Sequence, residues 1–156
     1  MPQVFKVLVG LKTEQGDPIH FKVDGGRFNQ ARTLKLNVNA NYIMEISVKP
    51  HKEILSLNVF GGNVTIEEIT AKNQTAYVTT WNTAGFDMAK KGNRQQIPII
   101  AEIKDIGTFK VNLQCKFYGE TEKQHVNWGD ACHFIDYDCK LPDGSSFVDV
   151  VKETFR

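Results

Sequence analysis

At 156 residues the chain is one domain long by ordinary length statistics, and long enough to bury a core without disulfides or metal. Apolar residues make up 41% and charged residues 24%, with a net charge of +1, which excludes intrinsic disorder and the strongly basic balance of a dedicated nucleic-acid binder. The first residues lack a basic start followed by an apolar run, so no secretory signal is expected, and no apolar stretch is long enough to span a bilayer.

Strands show themselves by alternation, because successive side chains of a strand point to opposite faces. Phe5, Val7, Val9 and Leu11 alternate with Lys6, Gly10 and Lys12, with Leu8 as a mismatch. Ile19, Phe21 and Val23 follow. Leu34, Leu36 and Val38 then alternate with Lys35 and Asn37, and Tyr42, Met44, Ile46 and Val48 alternate with Glu45, Ser47 and Lys49. Leu55, Leu57 and Val59 form a short face, the segment from Ile66 to Lys72 would tolerate a helical turn, and Tyr77, Thr79 and Trp81 form another face. Pro98 has no N–H to give a ladder, so its strand reads as an edge or a bulged one. The longest alternation runs from Thr108 to Phe117, with Phe109, Val111, Leu113, Cys115 and Phe117 dry and Lys110, Asn112, Gln114 and Lys116 wet. Cys132 to Lys140 and Phe147 to Val151 complete the set.

Turn chemistry punctuates these runs at Gly16-Asp17-Pro18, Asp24-Gly25-Gly26, Lys91-Gly92-Asn93 and two hairpin candidates, Phe60 to Val64 and Leu141 to Ser145. About ten short strands without a convincing amphipathic helix indicate an all-β antiparallel sandwich or barrel, a single binding domain over residues 1–156.

Chemistry-bearing clusters are few. Cys115, Cys132 and Cys139 are an odd count without paired spacing, as expected of reduced thiols. His125, Cys132, His133 and Cys139 gather late in the chain. On one strand, however, Cys132 and His133 would point to opposite faces, and His133 and Cys139 would stand about 20 Å apart. Zinc needs its ligands at about 2.0–2.3 Å, so neither a metal nor a cofactor is expected. Asp136 and Asp138 share a face without a histidine in a triad relation, and no nucleophile elbow or phosphate loop occurs, so catalysis is not expected. Lys90-Lys91-Gly92-Asn93-Arg94 reads as a solvated loop before it reads as an anion site. The tail Glu153-Thr154-Phe155-Arg156 ends on a charge, which does not suit the apolar pocket that receives such tails. Trp81, Trp128, Tyr42, Phe109, Phe117, Phe134 and Tyr137 read first as core filling. If the sheets splay, the alternative is a ligand cavity lined by Tyr42, Met44, Ile46, Trp81, Phe109, Leu113 and Phe117.

Longer strings carry a resemblance. Phe21-Lys22-Val23-Asp24-Gly25-Gly26-Arg27-Phe28-Asn29-Gln30 with Arg32-Thr33-Leu34-Lys35-Leu36, then Asp105-Ile106-Gly107-Thr108-Phe109, Lys116-Phe117-Tyr118, Asn127-Trp128-Gly129 and Lys152-Glu153-Thr154-Phe155 resemble the cannabinoid receptor-interacting protein family. They occur in family order over nearly the whole chain. The resemblance implies a cytoplasmic protein without enzymatic activity that binds the C-terminal tail of the type-1 cannabinoid receptor, or an equivalent G-protein-coupled receptor, and dampens its signalling. It would reach the inner face of the plasma membrane through that partner, without inserting. It also implies a fold similar to Rho GDP-dissociation inhibitors and prenyl-binding delta proteins. By that analogy the alternative is a carrier shielding the lipid of an acylated or prenylated partner, for example a G-protein subunit. Departures at Arg156 and through much of Lys49 to Asn82 point to a divergent member of invertebrate type.

Overall fold

The computed structural model describes residues 2–24, 30–87 and 94–156. The turn at Gly25 and Gly26 and the basic residues Lys90 and Lys91 lie outside them. In chain order the first strands are β1 (Gln3–Thr13), β2 (Ile19–Val23), β3 (Arg32–Asn37), β4 (Asn41–Lys49), β5 (Ile54–Val59), β6 (Gly62–Val64) and β7 (Glu67–Ala71). They are followed by β8 (Gln74–Asn82), β9 (Gln95–Ile103), β10 (Gly107–Tyr118), β11 (Asp130–Cys132), β12 (Ile135–Leu141) and β13 (Asp149–Phe155). A six-stranded sheet runs β13-β12-β1-β4-β8-β7, and a seven-stranded sheet runs β11-β2-β3-β10-β9-β5-β6. The ladders between neighbours are antiparallel except β3 with β10, which is parallel. Two sheets face to face make a sandwich, one of the two architectures that the alternation allows.

The inner faces hold the residues expected there. Phe5, Val7, Val9 and Leu11 of β1 and Tyr42, Met44, Ile46 and Val48 of β4 are buried, and so are Ile97, Ile99, Ala101 and Ile103 of β9. Fully burying one such large side chain contributes about 1.5–3 kcal/mol. Phe109 and Tyr137 meet edge to face across the interior, ring centroids 5.5 Å apart. Phe60 and Gly61 both adopt positive φ, 51° and 85°, and close the tight hairpin between β5 and β6 at Val59 and Gly62. The Asn58 Oδ1 accepts the Gly61 N–H at 3.0 Å.

Five local expectations are corrected. The segment from Ile66 contributes a strand, β7, because pairing with β8 outweighs a weak helical preference. Leu55 points outward while Ile54 and Leu57 are buried, because a register irregularity between Ile54 and Ser56 shifts the alternation. Val23 is exposed at the end of β2. The run from Cys132 to Lys140 is two strands in different sheets, β11 and β12. Finally, β9 lies inside its sheet, between β10 and β5. Pro98 is tolerated there because its carbonyl accepts the Phe60 N–H at 2.9 Å where β5 turns away, so the missing donor falls at the end of that ladder.

Candidate functional site

A half-buried strand should leave every second side chain wet. β3 does not: Thr33, Lys35 and Asn37, on its outer side, are all buried. Two structures cover them. The first is the segment after β10, which includes a single 3-10 turn, His125–Asn127. The Lys35 Nζ donates to the carbonyls of His125 at 3.1 Å and Trp128 at 2.8 Å. The Asn37 Nδ2 donates to those of Gly119 at 2.8 Å and Glu122 at 2.7 Å. Gly129 lets this segment descend onto the sheet: its φ is 104°, and a Cβ there would lie 2.5 Å from the Phe21 carbonyl oxygen.

The second cover is a side-chain network over the same face. Asp24 and Arg94 form an ion pair at 3.0 Å, with both side chains almost wholly buried. The Thr33 hydroxyl donates to Asp24 and accepts from Arg94 Nε at 3.1 Å and from Gln114 Nε2 at 2.9 Å. Gln114, on the supposedly wet side of β10, is buried. Its Nε2 also donates to the Gln30 carbonyl at 2.9 Å, and its Oε1 accepts from the Gln30 N–H at 3.1 Å and Gln96 Nε2 at 3.0 Å. A buried polar network holds together only when its members are satisfied, and these bonds tie β3, β9 and β10 to the ends of two loops.

The electrostatics of this face are lopsided. By register His20 stands opposite Lys35, and Lys35 opposite Lys116, so three basic side chains lie in one cross-strand row. Like charges placed directly opposite repel. Burial, with repulsion from Lys22 and Lys116, pulls the Lys35 pKa below the usual lysine value. Burial, with Arg94 and Lys22, does the same for Lys116. His20 is likewise lowered, by burial and then by Lys35, and its Nδ1 is buried without a partner among the described residues. Burial alone would raise Asp24. Hydrogen bonds from Arg94 and Thr33 and the charges of Arg94 and Lys22 outweigh it and hold the carboxyl below its usual range. Thus Lys22, Lys35, Lys116 and Arg94 converge on one carboxylate, leaving excess positive potential. Lys22 is about half exposed, Lys116 lies over the Tyr118 ring at 5.1 Å, and Trp128, 52% exposed, stands at the rim against His125.

The seven side chains named as a cavity lining are brought together between the sheets. Tyr42, Met44, Ile46 and Trp81 lie on the six-stranded side, and Phe109, Leu113 and Phe117 on the other; all seven are buried. The void beside Leu113 measures about 10 Å³. Trp128 is not core filling, and Phe134 is only half buried. Among the described residues no group of three or more histidine, cysteine or acidic side chains could hold a metal, and no helix is long and apolar enough to cross a membrane. The tail after Glu153 is tied down: the Arg156 N–H donates to the Phe134 carbonyl at 2.9 Å, and its guanidinium pairs with Asp136 at 3.1 Å.

Alternation alone misses Asp24, Thr33, Lys35, Arg94 and Gln114, because their burial comes from segments distant in the chain. The signal that could have found them is the convergence of strings. Phe21 to Asp24, Gln30 to Leu36, Lys116 to Tyr118 and Asn127 to Gly129 meet on this face. Comparison with known proteins bears on the same strings. The family model described as CB1 cannabinoid receptor-interacting protein 1 matches residues 1–155. Proteins of that name from Bos taurus and Homo sapiens are each 34% identical to this chain over 160 aligned positions, covering 99% of it and 98% of the relative. The Rattus norvegicus protein of that name matches to the same extent.

Proposed function

The chain belongs to the CB1 cannabinoid receptor-interacting protein 1 family, and on that premise we propose that it is a non-enzymatic binder of a receptor's cytoplasmic tail. The receptor is a G-protein-coupled receptor of the cannabinoid type or an equivalent, and occupation of its tail dampens signalling by denying the tail to other cytoplasmic partners. The observation that carries this reading is the basic face of the seven-stranded sheet. Lys22 and Lys116 present charge there that the buried Asp24–Arg94 pair does not neutralise, and an acidic tail segment supplies the missing carboxylates. Charge complementarity of this kind sets partner choice and association rate more than raw affinity.

The test is calorimetry with synthetic peptides covering the cytoplasmic tail of a CB1 cannabinoid receptor. One peptide should bind, its affinity should fall as salt rises, and Lys22→Glu with Lys116→Glu should weaken it about tenfold or more, since each reversed rim charge acts through the same field. A tail that binds the double variant as well as the parent would remove this face from the reading.

A further inference from the structure

We propose that the receptor segment binds in extended form, adding a strand to the free edge of β10 in a slit between the two sheets. The inference rests on the receptor-tail reading and states its geometry. β10 pairs with β9 from Gly107 to Cys115, but with β3 only from Cys115 onward. At the other end the Thr108 N–H donates to the Ser146 carbonyl at 2.8 Å, and the Thr108 carbonyl accepts the Val148 N–H at 2.9 Å. Between these two anchorages no strand among the described residues lies along that side of β10.

Alternation fixes which groups are left over. Backbone polar groups of successive residues in an antiparallel strand face opposite edges. Thr108 faces away from β9, so Lys110 and Asn112 do too. Gln30 Nε2 occupies the Asn112 carbonyl at 2.8 Å. Among the described residues no strand pairs with the Lys110 N–H and carbonyl or the Asn112 N–H, which form an open edge, the backbone template that another strand completes. The stretch between the anchorages, six residues from Phe109 to Gln114, is about 20 Å long at about 3.3 Å per residue; Gln30 covers its Asn112 and Gln114 end, which leaves room for about three residues of a partner.

The slit beside this edge measures about 420 Å³, with Val111 on one side, Val150, Val151 and Glu153 on the other, and Tyr137 lining it. Tyr137 is 1% exposed, and its hydroxyl has no hydrogen-bond partner among the described residues. A buried, unsatisfied hydroxyl is costly. Opposite it in the β12–β13 register stands Glu153, whose carboxyl pKa burial raises, while the Tyr137 hydroxyl, near enough to interact but outside hydrogen-bond geometry, and Arg32 lower it in part. A buried hydroxyl at the base of a slit flanked by a strand edge calls for the carbonyls of an extended peptide; a hydrocarbon chain would satisfy neither the hydroxyl nor the edge. The slit adjoins the basic face through Gln30, which bonds both Asn112 and Gln114.

The experiment uses the full chain and overlapping synthetic peptides from the cytoplasmic tail of a CB1 cannabinoid receptor, each also made with alternate amides N-methylated. Strand addition predicts that methylation in one register, and not in the other, weakens binding about tenfold, the loss expected for one or two backbone hydrogen bonds. It also predicts slowed amide exchange at Lys110 and Asn112 in the complex. Tyr137→Phe, which keeps the ring and removes the orphan hydroxyl, should weaken the peptide several-fold without lowering the thermal midpoint. A peptide that binds regardless of methylation and leaves the Lys110 and Asn112 amides unprotected overturns strand addition while leaving the receptor reading intact. If no tail peptide binds, the receptor reading falls, and strand addition of that segment falls with it.

Discussion

Protonating His20 would place a second positive charge opposite Lys35, in a site where its own Nδ1 has no partner among the described residues. Its folded pKa is lowered, first by burial and then by Lys35, so the unfolded chain takes up this proton before the folded one does. Stability is therefore full above the unfolded histidine value of about 6.5 and declines as pH falls from there toward the lower folded value. The depressed carboxyls act in a different window. Hydrogen bonds from Lys6 and Arg156 outweigh burial at Asp136, as Arg94 and Thr33 do at Asp24. Their contribution is present above about 3.9 and is lost as pH falls through their lower folded values. Denaturant midpoints across acid pH should thus fall in two limbs, and His20→Asn should flatten the upper limb alone. A variant with an unchanged upper limb would assign it elsewhere. The thiols give a second residue-scale expectation. Cys115, Cys132 and Cys139 are buried and free, and burial pushes Cys132 up to about 11 and Cys139 up to about 12. Little thiolate exists near neutral pH. Alkylation of native protein should label none of the three within minutes and all three once denaturant is added; rapid native labelling would mean that one of these strands opens.

At the scale of the element, β10 shows what alternation does and does not tell. Phe109, Leu113, Cys115 and Phe117 are buried and Lys110 and Asn112 are exposed, as the period of two demands. Leu113→Ala should cost about 2–5 kcal/mol, and Lys110→Ala under about 0.5 kcal/mol, both read by denaturant titration. Equal losses would put the strand in the wrong register. The same rule fails at Gln114, Thr33 and Lys35, since alternation reports which face a side chain takes and not what else covers that face. Their cover arrives from residues 119–129 and from the ends of loops beside Asp24 and Arg94. Removing the charge from the buried pair should therefore be expensive: Asp24→Ala leaves the Arg94 guanidinium without its carboxylate, at about 3–5 kcal/mol. Leu55 and the two strands after Gly129 depart from the local pattern for a related reason. A bulge and a crossing between sheets are settled by pairing partners, which no local pattern names.

On the scale of the whole molecule, the sequence showed that two apolar faces must meet, but not how closely they meet. Tyr42, Met44, Ile46, Trp81, Phe109, Leu113 and Phe117 do meet, and the void beside Leu113 is about 10 Å³, whereas ligand pockets run to roughly 300–1,000 Å³. A lipid chain between the sheets would gain about 0.8 kcal/mol per methylene. To admit it, however, these side chains must part, each giving up about 1.5–3 kcal/mol of burial. The slit, by contrast, is already open and offers polar groups that a lipid cannot use. A myristoylated tail peptide should accordingly bind within a few-fold of its unmodified twin. In a Trp128→Phe variant, which leaves Trp81 as the reporting indole, fluorescence should stay unchanged on adding either peptide, because Trp81 is buried on the inner face. The carrier reading expects the reverse: a preference of about a hundredfold or more for the lipidated peptide, with a shift in Trp81 emission as the chain enters beside it. That result would show that the seven side chains line a cavity which opens on demand.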